Sequence, residues 1–356
     1  MFIIDFSVSK ADILSIISKR DAPSWTIPLF DFINSWLDDS VTHFTVQTSG
    51  STGTPKQIQH SREAMTASAS RTCDFFQFKQ GDTALLALPS THIGGKMMIV
   101  RSIIRSLKLI CTEPRSNPLA QLDSNIQIDF AAFTPMQMTL MMDDASTLPK
   151  LSKIKKIILG GGEVSFPLRQ RLQGIDAAVY ETYGMTETIS HIALKKLNGT
   201  DRSDNFTTLE GVKIALDSRA CLMIEAPHLS SSLLITNDIV RIVSDIEFQW
   251  LGRYDNIINT GGIKVSAEEI ERKLQPHIKD NFFITGLPDD KLGQRVTLIL
   301  ETFRYHKQDE SIYIDLFNTY LDKFERPRKV LTIDKFSYTE NGKINKPETI
   351  KKLTQS

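Results

Sequence analysis

The residues with the clearest chemical potential form one run, Thr48-Ser49-Gly50-Ser51-Thr52-Gly53-Thr54-Pro55-Lys56. Glycines let a backbone approach a polyphosphate closely, and hydroxyls with free N–H groups donate to it. Lys56 adds a point charge. A flexible Gly/Ser linker has a similar composition, but a linker seldom ends in Pro-Lys between apolar segments. The run is not a Walker A loop, because five residues after Gly50, where that motif needs its second glycine, stands Pro55. A second glycine run, Gly160-Gly161-Gly162-Glu163, follows an apolar stretch at 156–159. Small residues there suit a strand-to-helix turn, and equally a flat ligand lying on backbone.

Further segments follow in order: Tyr183-Gly184-Met185-Thr186-Glu187-Thr188, then Thr236-Asn237-Asp238, then Gly252-Arg253-Tyr254-Asp255. Gly261-Gly262-Ile263-Lys264-Val265 leads into Glu268-Glu269-Ile270-Glu271, and Asn341-Gly342-Lys343 comes near the end. Each alone says little, since Asn-Gly-Lys is usually a turn and a single Asp or Arg is usually a solvated charge. Together, in this order and after the 48–56 run, they resemble the motifs of the adenylate-forming superfamily. That group includes acyl-CoA synthetases, peptide-synthetase adenylation domains and luciferases.

The resemblance implies an ATP-dependent carboxylate–CoA ligase. In such enzymes a carboxylate attacks the α-phosphate of ATP, pyrophosphate leaves, and the acyl-adenylate passes to a thiol. Negative charge builds up around phosphorus, so positioned cations and N–H donors are the main catalytic need. By resemblance, Glu187 holds the Mg²⁺. Thr186 contacts phosphate with Thr48, Ser49, Gly50, Ser51, Thr52, Gly53 and Lys56. Tyr183 stacks on adenine, and Gly161, Gly162 and Glu163 lie along adenine and the acyl pocket. Asp238 and Arg253 hold the ribose hydroxyls, and Lys343 bridges carboxylate and phosphate in the transition state. Gly261 and Gly262 line the path of the coenzyme A pantetheine arm. Asp255 is the hinge about which a small C-terminal domain turns between the half-reactions.

The segment Leu88-Pro89-Ser90-Thr91-His92-Ile93-Gly94-Gly95 resembles the part of the family that places an aromatic or His residue beside the acyl pocket. A lone His in an apolar stretch is more often structural. Arg101, however, stands nine positions after His92, on a helix expected to begin at the pocket. This resembles the 2-succinylbenzoate–CoA ligases of menaquinone synthesis, whose acid keeps a second, free carboxylate. A guanidinium is a natural partner for it. The expected acyl-site residues are therefore His92, Gly94, Arg101 and Ser190, the last as a second donor. Another aryl- or acyl-CoA ligase, or a stand-alone adenylation module that loads a carrier protein, stays open on these residues.

The elements that must position these groups are legible as alternating patterns. Short apolar runs at 83–88, 107–112, 130–134, 156–159 and 177–180 read as strands, with helices at 96–105, 136–142 and 166–173 between them. That alternation predicts an α/β fold with a mostly parallel sheet. Segments 221–225, 233–236 and 240–243 read as a short antiparallel region. Beyond residue 254 the pattern predicts a small α+β domain, giving a division into 1–254 and 255–356. Three departures from the family stand out. Asn237 replaces a usual Gly, the lysine motif lacks a Pro shortly before Gly342, and only 47 residues precede the first loop where relatives carry well over a hundred. The last predicts apolar surface in need of cover, with a homodimer as one way to supply it.

Composition bounds the class. The 356 residues hold 41% hydrophobic and 24% charged residues, with Lys+Arg and Asp+Glu both 42. No global field favours nucleic acid or an anionic membrane. Residues 1–20 lack a signal peptide's unbroken apolar core, and no run approaches the roughly 20 apolar residues of a spanning helix. Cys73, Cys111 and Cys221 have no metal or redox spacing and read as buried free thiols in a cytoplasmic protein.

Overall fold

The structure is a computed structural model, and it describes residues 1–18, 22–47, 57–230, 232–302, 310–339 and 344–355. The contacts divide it into two compact units, residues 1–213 with 225–233, and residues 214–224 with 234–356. The 48–56 run and Lys343 lie outside the described residues.

The first unit opens with β1 (Phe2–Asp5), α1 (Lys10–Ile17), α2 (Ile27–Leu37), β2 (His43–Gln47), β3 (Gln57–Ser61) and α3 (Arg62–Phe75). It continues with β4 (Thr83–Leu86), α4 (Ile93–Ile104), β5 (Lys108–Cys111), β6 (Ile128–Phe133), α5 (Pro135–Asp143), α6 (Leu148–Leu151) and β7 (Ile154–Leu159). It ends with α7 (Phe166–Leu172), β8 (Ala178–Gly184), β9 (His191–Lys196) and β10 (Phe206–Thr208). The strands follow the order β1-β5-β4-β6-β7-β8-β9-β10. β5, β4, β6, β7 and β8 pair in parallel, as the alternating pattern predicts, whereas β1 on β5 and β9 on β8 are antiparallel. β2 and β3 form a separate antiparallel pair, so the 48–56 run connects two hydrogen-bonded strands.

Successive side chains of a strand face opposite ways, and the central strands bury both faces. Ala84, Leu86, Leu109, Phe130, Ala132 and Ile158 point into one core with α1 to α4. Leu85, Ile110, Ala131, Phe133, Ile157 and Leu159 point into a second core with α5 and α7. Helix ends are set locally: Ser61 accepts from the Ala64 amide at the start of α3, and Thr134 with Gln137 forms a capping box on α5.

The flank expected to be bare is covered. Ile4, Ile13, Ile17, Leu29, Phe30, Phe32, Ile33, Trp36 and Phe44 all enter the first core, and β1 pairs along β5. Residues 1–46 therefore supply the missing apolar cover themselves.

The second unit contains β11 (Lys213–Leu216), β12 (Cys221–Glu225), β13 (Leu234–Ser244) and β14 (Glu247–Arg253). These run in the order β14-β13-β12-β11. The two short strands expected at 233–236 and 240–243 are one strand, β13. Asp238 pairs with Arg253 of β14, and the register shifts at a bulge between Ile239 and Val240. β15 (Ile257–Thr260), β16 (Ile263–Ser266), α8 (Ala267–Leu274), β17 (Phe282–Asp289), β18 (Gly293–Glu301), α9 (Glu310–Tyr320), β19 (Lys329–Ile333) and α10 (Lys346–Gln355) follow. They build an α+β layer on the sheet β16-β15-β18-β17, with β19 parallel to β18. Among the described residues no helix is long and apolar enough to cross a membrane. Cys73, Cys111 and Cys221 are buried and unpaired.

Ile33 is fully buried in the first core. Ile33→Ala should destabilise the first unit by about 2–5 kcal/mol in urea unfolding. A loss below about 0.5 kcal/mol would show that α2 does not complete the core.

Candidate active site

In an open parallel sheet, ligands bind beyond the carboxyl ends of the strands. Here those ends carry three of the expected groups: His92 after β4, the 160–163 loop after β7 and the 183–188 motif at the end of β8. The Gly160 amide donates to the Phe133 carbonyl at 3.0 Å, and the Thr182 hydroxyl donates to the Leu159 carbonyl at 3.1 Å. These bonds tie the loop that carries Gly161, Gly162 and Glu163 to its neighbours. Beneath it, Glu181 accepts from the Val164 amide at 3.2 Å, from Arg169 at 3.2 Å and from Lys195 at 2.7 Å. Glu181 and Lys195 are buried, so this is a desolvated pair in which each charge needs the other. Burial pulls the Lys195 pKa down and the Glu181 charge opposes that.

Tyr183 is buried, with its ring centroid 5.7 Å from that of Phe206. The next residue must be glycine. A Cβ on Gly184 would lie 2.3 Å from the Ser190 carbonyl oxygen and 2.6 Å from the His191 Cα, because the chain folds back there onto the start of β9. Thr186–Thr188 then forms a short 3-10 turn, closed by the Thr188 hydroxyl donating to the Ser190 carbonyl at 2.7 Å. The turn leaves Glu187 exposed. A single exposed carboxylate beside a threonine hydroxyl fits magnesium, which binds through one or two carboxylates plus the phosphates of its nucleotide. His60 of β3 is buried near this turn. Burial lowers its pKa, and the Thr186 backbone and the Glu187 charge act against that.

The acyl-side residues sit on α4 and the β8–β9 connection. His92 is the N-cap residue of α4, with its Nδ1 3.0 Å from the Thr91 hydroxyl, and Gly94 lies in the first turn. Arg101 follows in the same helix and is 2% exposed, the largest fully buried side chain. Its Nη2 donates to the Ser190 hydroxyl at 2.8 Å, and its Nη1 lies 3.8 Å from the Met98 sulfur. Its Nε has no hydrogen-bond partner among the described residues. Burial lowers its pKa to about 10, and no carboxylate among the described residues offsets that. It remains a cation at neutral pH, enclosed without a carboxylate counter-charge among the described residues.

In the second unit, β13 and β14 place Asp238 directly opposite Arg253. Their charged groups are 3.6 Å apart, and the Trp250 indole donates to Asp238 at 3.3 Å. Arg253 also pairs with Asp255 at 2.9 Å. Asn237, the departure from the family's glycine, donates to both Asp255 carboxylate oxygens at 3.3 Å and accepts from Arg219 at 2.9 Å. Gly261 and Gly262 form the two-residue turn between β15 and β16, both at positive φ, which a tight hairpin of this kind requires. The predicted residues thus fall into two groups, one in each unit. Trp250, Glu181, Lys195, His60 and His191 were not singled out by sequence, because no motif marks them.

A family profile described as AMP-binding enzyme matches residues 12–216. A 2-succinylbenzoate–CoA ligase from Salmonella typhimurium is 26% identical over 325 residues, covering 87% of this chain and 68% of that protein. The crystal structure of an acyl-CoA synthetase (AMP-forming)/AMP-acid ligase II-like protein from Dyadobacter fermentans is 34% identical, with a TM-score of 0.65. It covers 95% of this chain and 98% of that one. An o-succinylbenzoate coenzyme A synthetase from Bacillus subtilis, in complex with ATP and magnesium ion, shares the fold with a TM-score of 0.71 at 20% identity. That alignment covers 86% of this chain and 69% of the other.

Gly184→Ala forces a Cβ into the Ser190 backbone and must displace the 183–188 turn. ATP affinity measured by calorimetry should fall about tenfold or more, equivalent to about 1.4 kcal/mol. Unchanged affinity would separate this turn from the nucleotide.

Proposed function

Because the chain belongs to the AMP-binding enzyme family, we propose that it is an ATP-dependent carboxylate–CoA ligase acting on 2-succinylbenzoate, as in menaquinone synthesis. The acid is activated as an acyl-adenylate with release of pyrophosphate, and the acyl group then passes to the thiol of coenzyme A. The observation that carries the choice of acid is the enclosed, uncompensated Arg101. A buried cation without a counter-charge is costly, and a ligand carboxylate of opposite charge offsets that cost. 2-Succinylbenzoate offers such a group, since its second carboxylate is not the one activated. The similarity to ligases named for this acid supports the same reading.

In this reading the 48–56 run and Thr186 receive the phosphates, and Glu187 holds a magnesium ion that neutralises them. Tyr183, with the loop of Gly161, Gly162 and Glu163, receives adenine, and Asp238 and Arg253 take the ribose hydroxyls. Lys343 supplies charge to the α-phosphate during adenylation. Asp255 serves as the hinge between residues 1–254 and the mobile segment 255–356, and Gly261 and Gly262 face the pantetheine arm. The partners are small molecules: the acid, ATP and coenzyme A. The motive for a homodimer is weakened, because residues 1–46 already cover the first sheet's flank. Buried, unpaired cysteines support a reducing compartment, the cytoplasm.

Pyrophosphate release across a panel of carboxylic acids, with and without coenzyme A, tests the assignment. Arg101→Ala should raise KM for 2-succinylbenzoate by about one to two orders of magnitude, as expected for a lost charge-assisted bond. KM for ATP should hardly move. Equal damage to the use of ATP and of all acids would make Arg101 structural. Lys343→Ala should slow adenylation by about 10²–10³ while sparing thiolysis of a preformed acyl-adenylate. Equal loss in both half-reactions would count against a turn at Asp255.

A further inference from the structure

A continuous line of polar side chains, buried except for the half-buried Ser190, joins α4, β9 and α3. Arg101 donates to the Ser190 hydroxyl at 2.8 Å, and that oxygen lies 3.4 Å from His191 Nδ1. His191 Nε2 is 3.0 Å from the Thr72 hydroxyl on α3, and Thr72 in turn donates to the Ser68 carbonyl at 3.3 Å. Arg101, His191 and Thr72 are all buried.

Counting hydrogens gives this line a direction. The Thr72 hydroxyl has one proton. Given to the Ser68 carbonyl, it leaves Thr72 to accept from His191, which places the ring hydrogen on Nε2. Burial, with the Arg101 charge beside it, holds the imidazole pKa well below 6.5, so the ring is neutral. A neutral ring protonated at Nε2 presents a lone pair at Nδ1. Ser190 gives its proton to that lone pair and turns its oxygen toward Arg101. The opposite tautomer would release the Ser190 proton and make Ser190 a second donor to the acid, the role the sequence suggests for it.

We propose that Thr72 and His191 are positioning residues for acid recognition. They commit Ser190 to holding Arg101, and leave the guanidinium as the group of this line that meets the acid's free carboxylate. The consequence for catalysis rests on the acid assignment above; the hydrogen-bond direction does not. Arg101 is then pre-set before the acid arrives, and its ordering cost falls on folding instead of binding.

The wiring is read on the full chain with ¹⁵N-labelled histidine and no ligand, by long-range ¹⁵N–¹H correlation, His191 being assigned from its absence in His191→Gln. The expected signal is a neutral Nε2–H tautomer that persists from roughly pH 5.5 to 8, given an ordinary histidine pKa of about 6.5. An Nδ1–H tautomer, or titration near the ordinary value, overturns the proposal. In the kinetic arm, Thr72→Val should raise KM for 2-succinylbenzoate by about 5- to 15-fold, with kcat and KM for ATP within about twofold. Thr72→Ser should restore KM. Unchanged KM in Thr72→Val, or no rescue by serine, also overturns it. If the wild-type chain does not use 2-succinylbenzoate at all, the acid assignment falls, and the tautomer measurement still decides the wiring.

Discussion

Parallel pairing of β4, β6, β7 and β8 is the constraint from which the first unit's chemistry follows. Parallel strands end side by side, so segments far apart in sequence meet at one edge of the sheet. The sheet also has to be covered on both faces, and that requirement places α4 against one face and α5 and α7 against the other. α4 starts next to His92, at the edge where the strands end, and carries Arg101 inward along the covered face. The same element therefore touches the site at one end and buries a charge further along.

Burial gives the polar groups in this region their meaning. Glu181, Lys195 and Arg169 form an enclosed network under the 160–163 loop, and each charge there is matched by another. Arg101 is enclosed without any such match among the described residues. The contrast within one unit separates a charge matched by its neighbours from one proposed to take a ligand carboxylate. The first network satisfies itself and holds a loop, whereas the second has satisfied hydrogens at Ser190 and an unsatisfied charge.

Much of this was legible in the sequence. The alternation of apolar runs and helical stretches gave the parallel sheet, because strands buried on both faces must be apolar throughout. Arg101 stands out in the sequence by its spacing after His92, on a helix that the pattern itself predicts. Thr72 and His191 were not found. They meet across 119 positions, and a threonine in a helix or a histidine opening a strand carries no local mark of such a partner. The cover over the first core was also missed as a positive feature. That Leu29, Ile33 and Trp36 share one core with Leu109, Phe130 and Ile158 carries no local mark in the sequence. Asn237 and Asp238 read as a turn that would split β13, whereas both lie within the one strand and Asp238 pairs with Arg253 of β14.

The same Asn237 shows how a departure from a family pattern acquires a physical role. A glycine at this position would have no side chain to offer the expected hinge. Asn237 instead reaches both oxygens of Asp255 and is itself held by Arg219, whose guanidinium also lies 5.1 Å over the Tyr254 ring. Arg253 contributes a further contact to Asp255. The residue proposed to turn is thus gripped by two neighbours in the described conformation, one a cation and one a neutral amide. These contacts are largely exposed to solvent, so each is weak, on the order of a few tenths to 1 kcal/mol. Weak, multiple restraints suit a hinge: they define one orientation without making departure from it slow. A single buried ion pair at the same place would have locked it.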